Sequence, residues 1–544
     1  MPVVRFATNS YVSRSLPVSA ERCINMFTEK EPPDAKAPLP LFGAPGLTTF
    51  ADAGDGPIRG AWFAQTTLYV ASGSQFYKVA PDGTATLLGS GIDGTGTVMM
   101  SDNGSQVIVV TGTSGYVYNF NGNITTLTQT ANFGDTTVNV SSTAGMSNGD
   151  TLEITLDSGA VFTTGAADVN PFALTIQISQ GLPSSAGIGN SVNDTTPSFS
   201  KISNPAFYPC NTVTYFDSCF VFDRKGTNEF FLSNLNDGLN YNALRVASAE
   251  VNPDNVVAVV NNLEQLYIFG QTSTELWYDA GSADFPFQRY DGATIERGLA
   301  AAHAFVKQDQ AIFFLGDDKI FYRMQGYYPI PVSTPAVDQA IQSYGDISDA
   351  FCFTYTLGGH KQVGITFPSA NATWIFDLQS GFWHERISWD ENNVSLGRWR
   401  GNCAVTCYNH ILIGDAYNGR VGILDWSVYS EYGNTIMGQA CSTPLASDRK
   451  RVFMSRFELD VEAGVGLSTG QGSNPQIMLD YSDDGGRTWS KQQLWRSLGV
   501  IGAFLTRVRW LRMGNFRQRV LRLTITDPVK RTIIAAHADL SAGM

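Results

Sequence analysis

The segment GAWFAQTTLYVASGSQFYKVAPDGTATLL, residues 60–88, indicates the fold class of this 544-residue chain. It contains short runs of β-branched and aromatic residues at 60–64, 68–71, 75–79 and 84–88. Asp82-Gly83 between the last two runs is a hairpin signal, because both residue types tolerate the backbone of a tight turn. The pattern therefore predicts a meander of four antiparallel strands.

The same pattern of short strands and turns returns along the chain. A second meander covers residues 97–120, and later strand pairs cover 261–278, 311–322, 363–377 and 411–424. Meanders that repeat every 40 to 50 residues or so are typical of a β-propeller. We therefore predict an irregular propeller of about six blades. The hydrophobic strand of each pair and the aromatic-rich strand after it are expected to be the inner and third strands of a blade. Unrelated β-sandwiches that use the same hairpins are the alternative.

Composition supports an all-β protein of several domains. The chain has 53 glycines, 12% aromatic residues and only 16% charged residues, against about 25% in typical globular proteins. No apolar run reaches the roughly 18 residues that a membrane-spanning helix needs. The N-terminus lacks the apolar core of a signal peptide. We therefore expect synthesis in a cytoplasm and no membrane insertion.

Changes in composition divide the chain into five regions. Residues 1–57 are rich in proline and predict an irregular arm or strap. Residues 58–125 hold the first blades, and 201–430 hold the remaining ones. Residues 126–200 are rich in Thr, Ser, Gly and Asn and predict a small β domain inserted between blades as an exposed projection. Residues 431–544 form a C-terminal β-rich region of about six strands that contains most of the arginines discussed below.

Cysteine and histidine patterns give no indication of a metal site or an active site. The seven cysteines are widely spread, and we expect them to be reduced and mostly buried. Neither close pair, Cys210 with Cys219 or Cys403 with Cys407, has the further ligands that a zinc site requires. None of the five histidines lies in a ligand or catalytic-triad pattern. We therefore predict no catalytic residues, no metal and no cofactor.

The segment SDDGGRTW, residues 482–489, fits the Asp-box pattern S-x-D-x-G-x-T-W, a hairpin that resembles those on sialidase propellers. Asp484 is expected to accept hydrogen bonds from backbone amides of the turn, and Trp489 to cover the hairpin. A single copy predicts a β-hairpin rather than glycosidase chemistry.

The arginines of the C-terminal region are strongly segregated in sequence. Residues 485–526 contain eight arginines, one lysine and no acidic residue, although the formal net charge of the chain is −13. A period of two places Arg507 with Arg509, and Arg517 with Arg519, on one face of extended strands. Such a patch favours binding to an acidic surface, since the planar arginine fork grips carboxylate or phosphate with two hydrogen bonds. A solvated basic face is the alternative. The candidate interface residues are Arg496, Arg507, Arg509, Arg512, Arg517, Arg519 and Arg522.

Several segments resemble one family. ERCINMF (21–27) followed by LFGAPGL (41–47) is similar to the opening of the packaged-DNA stabilisation proteins of short-tailed phages. IFG (268–270) with TELWY (274–278) resembles a core strand pair of that family, and ERGLA (296–300) its following strap. RVRWLRMGNFR (507–517) resembles its arginine-rich closing strands. The likeness covers most of the chain in order and leaves out the 126–200 insert.

The resemblance implies a structural virion protein, the tail nozzle or tail accessory factor. Such proteins form a homohexameric ring below the portal and adaptor, retain packaged DNA and provide the channel for genome ejection. The implied partners are other copies of the chain, the portal-adaptor protein, a tail needle or plug, a tailspike or tail fibre, and packaged double-stranded DNA. The candidate arginines would dock onto the adaptor or a neighbouring subunit, with DNA contact as the competing role. The acidic remainder of the chain fits a channel wall that repels DNA.

A carbohydrate-binding or sialidase-like virion propeller is the alternative function. Aromatic residues in and after the fifth predicted unit would then be sugar platforms, namely Trp374, Phe382, Trp383 and Trp389. Their strand-like spacing favours packing between blades instead.

Overall fold

The computed structural model describes residues 3–6, 8–122, 124–143, 145–282, 285–448 and 450–543. Within these residues, seven four-stranded antiparallel units form the blades of a β-propeller, and a β-sandwich follows. Five blades are separate sheets, and the last two are parts of larger sheets. The prediction of an all-β propeller with a C-terminal β-rich region is confirmed. The blade count is one higher than the expected number of about six.

The first part of the chain forms an arm, blade 1 and most of blade 2. The arm carries β1 (Tyr11–Val12), β2 (Ala20–Glu21), β3 (Cys23–Ile24), β4 (Met26–Thr28), β5 (Leu41–Gly43) and β6 (Gly46–Asp52). Blade 1 consists of β7 (Ile58–Ala64), β8 (Thr67–Ser72), β9 (Gln75–Val79) and β10 (Ala85–Ser90). Blade 2 begins with β11 (Met99–Asp102), β12 (Gln106–Val110) and β13 (Gly115–Asn119).

The inserted domain lies inside blade 2, which corrects the expectation of an insert between blades. It comprises β14 (Ile124–Thr126), β15 (Thr137–Asn139), β16 (Thr151–Thr155), β17 (Val161–Asn170), β18 (Thr175–Ile178) and β19 (Ser191–Asp194). The chain then returns as β20 (Ser198–Lys201), which pairs with β13 and completes the blade. The six strands form one sheet over an apolar core of their own, so the insert is a separate folding unit.

Blades 3 to 7 follow in chain order. Blade 3 is β21 (Val213–Phe216), β22 (Cys219–Asp223), β23 (Glu229–Asn234) and β24 (Asp237–Ser248). Blade 4 is β25 (Val256–Asn262), β26 (Gln265–Gly270), β27 (Thr274–Asp279) and β28 (Phe287–Ile295). Blade 5 is β29 (Phe305–Gln308), β30 (Ala311–Leu315), β31 (Phe321–Gln325) and β32 (Tyr328–Pro331), followed by helix α1 (Pro335–Ser343). Blade 6 is β33 (Phe351–Leu357), β34 (His360–Phe367), β35 (Ala372–Asp377) and β36 (Phe382–Glu385). The hairpin β37 (Ile387–Asp390) and β38 (Ser395–Arg398) precedes β39 (Gly401–Cys407), β40 (His410–Asp415) and β41 (Arg420–Asp425) of blade 7.

The hydrophobic and aromatic-rich strands are the second and third strands of each blade, not the inner and third. The second strands β12, β22 and β30 are buried along their whole length, whereas the inner strands β11, β21 and β29 are only partly buried. A second strand packs against neighbouring blades on both faces, while an inner strand borders the central cavity. The most continuous apolar runs therefore mark second strands.

The N-terminal arm closes the propeller, so it is more regular than its prolines indicated. Strand β6 pairs antiparallel with β41 as the fourth strand of blade 7. The last blade is thus completed by a segment from the other end of the propeller sequence. This closure makes the propeller a ring that cannot open without breaking β6 away.

The arm also joins the propeller to the C-terminal sandwich. After β42 (Ser430–Glu431) and β43 (Asn434–Thr435), the sandwich contains β44 (Gly438–Cys441), β45 (Leu445–Ala446), β46 (Val452–Val461), β47 (Gln476–Ser482), β48 (Leu494–Ser497), β49 (Val508–Leu511), β50 (Asn515–Phe516), β51 (Gln518–Ile525) and β52 (Thr532–Ala542). Strand β3 pairs with β36 of blade 6 on one side and with β44 on the other. Strands β4 and β5 extend the second sandwich sheet through β52. One sheet therefore runs continuously from blade 6 into the sandwich.

Residues of the sequence motif ERCINMF hold this junction together. Arg22 donates from Nε to the carboxylate of Glu385 at 3.0 Å, with a second hydrogen bond from Nη2. Asn25 is fully buried with a φ of 50°, and its side chain bonds backbone groups of both domains. The motif thus has a structural role.

Among the described residues, no helix is long and apolar enough to cross a bilayer.

His360 links the arm to blade 6 through two carboxylates. Its Nδ1 lies 3.0 Å from Oδ2 of Asp377, and its Nε2 lies 3.8 Å from Oε2 of Glu29 in the arm. The hydrogen bond with Asp377 raises the pKa of His360, and the negative charges of both carboxylates add to this effect against burial. The folded arm therefore favours the protonated imidazole.

We expect His360 to stabilise the fold more at pH 6 than at pH 8. Its pKa in the unfolded chain is about 6.5 and is higher in the fold, so its contribution is complete below about 6.5 and disappears as the pH rises through the folded value. Denaturant unfolding of the wild type and of His360→Gln should show a stability difference that grows as the pH falls. Burial lowers the pKa of His384 to about 3, so this residue makes the fold less stable as the pH falls. The wild type and His360→Gln both contain His384, so this contribution cancels in the difference between them. A difference that does not change with pH would contradict the assignment.

Candidate functional site

The edge strand β49 presents the first pair of candidate arginines to solvent. Arg507, which precedes the strand, and Arg509 and Leu511 within it are exposed, whereas Val508 and Trp510 are buried in the sandwich core. The ring of Trp510 stacks on Phe457 with centroids 5.5 Å apart. The predicted alternation at Arg507 and Arg509 is confirmed, because inward apolar residues fix the register of the strand.

Strand pairing brings acidic residues next to this pair. Glu458 of β46 lies directly opposite Arg509. Arg507 donates to Glu458 from Nε at 2.7 Å and from Nη2 at 2.9 Å. The segregation of charge in the sequence is therefore not a single-sign surface in the fold, since β46 comes from outside the arginine-rich segment.

Two candidate arginines are internal rather than available to a partner. Arg519 is buried and donates to Asp483 from Nε at 2.6 Å and from Nη2 at 2.7 Å. Arg522 donates from Nε to Asp480 at 3.0 Å, and its guanidinium lies 3.8 Å from the ring centroid of Trp489. Both arginines therefore stabilise the turn and sheet around the Asp-box.

The expectation that Arg517 and Arg519 share one face is wrong. Arg517 lies at a bend between β50 and β51 and is exposed, whereas Arg519 lies within β51 and is buried. The bend interrupts the period-two alternation that the expectation assumed. Residues that alternate in the sequence but belong to two different strands do not share one face of the sheet.

Five candidates remain at the surface, and we refer to them as the arginine edge. They are Arg496, Arg507, Arg509, Arg512 and Arg517, and all are exposed. Arg496 donates from Nε to the backbone carbonyl of Arg509 at 2.7 Å, which ties β48 to β49. Within the described part of the chain, no ion pair involves Arg509, Arg512 or Arg517. These three guanidinium groups are free to bind an external acidic group.

An exposed apolar loop directly precedes the arginine edge and was missed in the sequence analysis. In the loop 499–506, the four side chains of Val500, Ile501, Phe504 and Leu505 are between 49% and 95% exposed. The signal in the sequence was the run GVIGAFLT, in which glycines divide apolar residues without strand alternation. Contiguous apolar side chains at a surface commonly mark an interaction site.

The aromatic residues proposed as sugar platforms are mainly packing residues. Trp374 and Trp383 are buried. The indole Nε1 of Trp383 donates to the carbonyl of Val332 at 2.9 Å, and that of Trp374 donates to the hydroxyl of Tyr344 at 2.9 Å. Phe382 and Trp389 are half-buried. Packing between strands is therefore confirmed for the two buried indoles, which cannot stack on a sugar.

The Asp-box has the predicted local role. Asp484 accepts hydrogen bonds from the backbone N–H of Arg487 and of Thr488, both at 2.9 Å. The box forms the turn between β47 and β48, which pair as a hairpin. The ring of Trp489 packs on the guanidinium of Arg522. The single box thus supports the fold of the sandwich.

The cysteines are free thiols, as expected. Five are buried, and Cys352 and Cys403 are half-buried on inner strands of the propeller. Burial raises the pKa of Cys407 to about 11, so this thiol is protonated at neutral pH. Across the described residues, no group of three or more His, Cys, Asp or Glu side chains could hold a metal ion.

Comparison with known families and structures identifies one family. The family model described as bacteriophage P22 Gp10, beta-propeller, matches residues 19–170 and 178–429, and the model described as bacteriophage P22 Gp10, beta-sandwich, matches residues 439–541. No curated protein sequence matches the chain.

Similar solved structures are distant. PorZ of Porphyromonas gingivalis is 9% identical with a TM-score of 0.30, and the alignment covers 76% of this chain and 44% of PorZ. The chain thus spans less than half of PorZ. The N-terminal domain of Nup159 is 9% identical with a TM-score of 0.34, covering 74% of this chain and 99% of that domain. Kluyveromyces lactis Hsv2 is 10% identical with a TM-score of 0.24, covering 63% and 96%.

The propeller family model also corrects the expectation that the insert departs from the family. Within the insert, the model omits only residues 171–177, which form the turn between β17 and β18 and most of β18. Exposed hairpin tips are where length varies most easily, so the insert itself is a family feature. The matches cover nearly the whole chain in two consecutive domains. The chain therefore belongs to the bacteriophage P22 Gp10 family and is a structural protein of a phage tail, built from a β-propeller and a C-terminal β-sandwich.

Proposed function

We propose that the chain forms the tail nozzle, a ring of six copies below the portal-adaptor complex that retains packaged DNA and provides the ejection channel. Membership of the P22 Gp10 family gives the class of protein. The observation that carries the docking role is the arginine edge beside the exposed apolar loop at one edge of the sandwich. This edge binds the adaptor ring or the neighbouring subunit.

The composition of this edge suits a protein partner. Arginine and aromatic residues are enriched where interfaces are well packed, and they carry a large share of the binding energy. Phe504 and Leu505 supply exposed apolar side chains, and Arg509 supplies a guanidinium group that has no carboxylate partner within the described residues. We expect the partner surface to offer an apolar depression beside acidic side chains. Tail needle and tailspike or fibre are further partners of the assembled ring.

The fold is suited to resist mechanical force. The propeller is closed by β6, and the sheet of blade 6 continues through β3 into the sandwich. A force applied to the sandwich edge is therefore carried into the propeller by strand pairing rather than by a flexible linker. Such a unit can withstand the pressure of packaged DNA without shear between its two domains.

Charge distribution suggests which side faces the channel. Residues 79–200 contain nine acidic residues and no lysine or arginine. This stretch covers the last strand of blade 1, nearly all of blade 2 and the whole insert. An acidic wall repels DNA that slides past, whereas basic contacts would bind phosphates and slow ejection. We place this region toward the channel and the arginine edge toward protein.

Charge reversal at the arginine edge tests the docking role. We expect Arg512→Glu with Arg517→Glu, which breaks no ion pair within the described residues, to weaken binding to tail-less portal-adaptor complexes by about tenfold to a hundredfold, since buried charge pairs at interfaces are sensitive to reversal. Binding can be measured by co-sedimentation and ring formation by electron microscopy. Arg487→Glu with Lys491→Glu is the matched control, because it changes the charge equally at the exposed Asp-box turn. Equal binding by both double variants would refute docking through this edge.

Salt dependence separates protein docking from DNA contact. If the arginine edge bound DNA, duplex affinity would fall steeply with ionic strength, by nearly one power of salt concentration for each phosphate contacted. We expect only weak duplex binding, with the same salt slope in the wild type and the charge-reversal variant. A slope that decreases by about two in the variant would assign these arginines to DNA.

A further inference from the structure

A cleft of about 380 Å³ lies between blade 2, blade 3 and the inserted domain. One wall comes from the two blades and the segment after β13, and the other comes from β14, β19 and the loop before β16. Side-chain amides are the most common polar groups along both walls. They belong to Gln106, Asn119, Asn121, Asn193, Asn236 and Asn240.

Internal hydrogen bonds hold the blade side of the cleft in place. Gln106 donates from Nε2 to Oδ1 of Asn119 at 2.6 Å, and its Oε1 accepts from the N–H of Gly238 at 2.7 Å. Asn240 donates from Nδ2 to the carboxylate of Asp237 at 2.7 Å. The bond from Gly238 joins blade 3 to blade 2, so this wall is already formed before any ligand binds.

Other amide groups in the cleft are accessible and have no internal partner. Within the described residues, the side chains of Asn121 and Asn193 make no hydrogen bond, and Oδ1 of Asn240 accepts none. Asn121 is exposed, and Asn193 and Asn240 are half-buried. All three line the cleft, so a ligand inside it can reach these groups.

The charges of the walls favour an uncharged ligand. The described lining residues include no Lys, Arg or His, so a phosphate or carboxylate would lack a counter-charge. Asp237 supplies a carboxylate, but both of its oxygens already accept hydrogen bonds, from the N–H of Leu239 at 2.9 Å and from Asn240. A purely apolar ligand would leave the amides without hydrogen bonds.

The remaining match is a ligand that carries several hydroxyl groups. An amide has a donor and an acceptor side by side, and each hydroxyl is both donor and acceptor, so one amide can bind two neighbouring hydroxyls. Ile124, which is 73% exposed, and Leu239 line the same cleft. These apolar side chains can cover the C–H face of a sugar ring and remove it from water.

We propose that this cleft binds a neutral mono- or disaccharide, whose hydroxyl groups bond the amides of Asn121, Asn193 and Asn240 while its apolar face packs on Ile124. The volume lies in the range of small-ligand sites. The acidic surroundings that repel DNA do not repel an uncharged sugar. The site is separate from the arginine edge and does not depend on the proposed nozzle role.

Saturation-transfer NMR on the full-length protein tests the proposal. The neutral probes are D-glucose, D-galactose, D-mannose, L-rhamnose, N-acetyl-D-glucosamine and maltose. N-acetylneuraminic acid is the anionic counterpart, and acetyl-Gly-Gly-amide represents polypeptide backbone. We expect transfer to at least one neutral sugar and none to the anionic one.

Three results would overturn the proposal. Silence of all probes would show that the cleft binds no sugar. Transfer to acetyl-Gly-Gly-amide without transfer to any neutral sugar would assign the cleft to a polypeptide. Equal transfer to N-acetylneuraminic acid and to the neutral sugars would show that the ligand class is wrong.

Two variants assign the binding to the cleft. Asn121→Ala and Asn193→Ala remove amides that have no hydrogen bond within the described residues, so we expect an unchanged melting temperature but about tenfold weaker sugar binding. Gln129→Ala is the matched control, because Gln129 is exposed on the insert and is not among the described lining residues. Wild-type affinity in both asparagine variants would place the sugar elsewhere and refute the assignment.

Discussion

Replacement of Asn25 by alanine is expected to lower the stability of the junction between propeller and sandwich by about 4 to 6 kcal/mol. The side chain donates from Nδ2 to the carbonyl of Ile387 at 2.9 Å and to that of Met437 at 3.0 Å. Its Oδ1 accepts from the N–H of Ile387 at 3.1 Å. Alanine leaves three partly buried backbone groups without these hydrogen bonds, at about 1 to 3 kcal/mol each.

The backbone of Asn25 adds to this cost. Its φ of 50° lies in the left-handed region, which asparagine tolerates and alanine disfavours by about 1 kcal/mol or more. Asn25→Gly is the matched control, because glycine adopts this conformation freely but makes none of the side-chain hydrogen bonds. We expect the glycine variant to retain most of the loss, about 1 kcal/mol less than alanine.

We expect the propeller and the sandwich of Asn25→Ala to unfold separately. Chemical denaturation followed by hydrogen exchange should show that β3, β36 and β44 lose protection first in Asn25→Ala, since these strands share the continuous sheet. The sandwich should then unfold in a transition distinct from that of the propeller. A single transition at the wild-type midpoint would show that Asn25 does not hold the junction.

Local patterns in the sequence predicted individual blades well. The strand pairs β26–β27 and β34–β35 lie where alternating apolar residues and turn residues placed them. Blade 3 was absent from the prediction because the turn between β21 and β22 is Asp217-Ser218. Both residues have positive φ without glycine, so the usual Asn-Gly or Asp-Gly signal is missing.

Contacts between distant segments account for most of what the sequence did not predict. Strand β6 pairs with β41, and β20 returns to β13 across the whole insert. Glu458 reaches Arg507 from a strand outside the arginine-rich segment. These pairings are set by the shape of the closed fold, and no local period encodes them. The arginine edge was therefore predicted in part, while the separation of internal Arg519 and Arg522 from the exposed arginines needed the structure.

Glu431→Gln is expected to destabilise the protein by about 3 to 5 kcal/mol, because it removes one of two acidic charges from a cluster of five charged side chains buried where the propeller meets the sandwich. The cluster comprises Arg386, Arg400, Arg531, Asp415 and Glu431. Glutamine can still accept the hydrogen bond that Trp399 donates to Glu431 from Nε1 at 2.9 Å. The change is therefore mainly electrostatic, and it leaves three buried guanidinium groups with Asp415 alone. Denaturant unfolding of the variant measures the loss.

The double variant Glu431→Gln with Arg386→Met isolates the charge effect. Methionine removes the positive charge nearest to residue 431 and fills much of the same space, so the balance of the cluster returns to two cations and one anion. We expect the double variant to recover at least about 2 kcal/mol relative to Glu431→Gln, since removing both members of a buried pair costs far less than removing one. Loss of the hydrogen bond from Arg386 Nη2 to the carbonyl of Pro45 at 2.6 Å limits the recovery. If the two substitutions were simply additive, Glu431 would not stabilise the fold through the charge of Arg386.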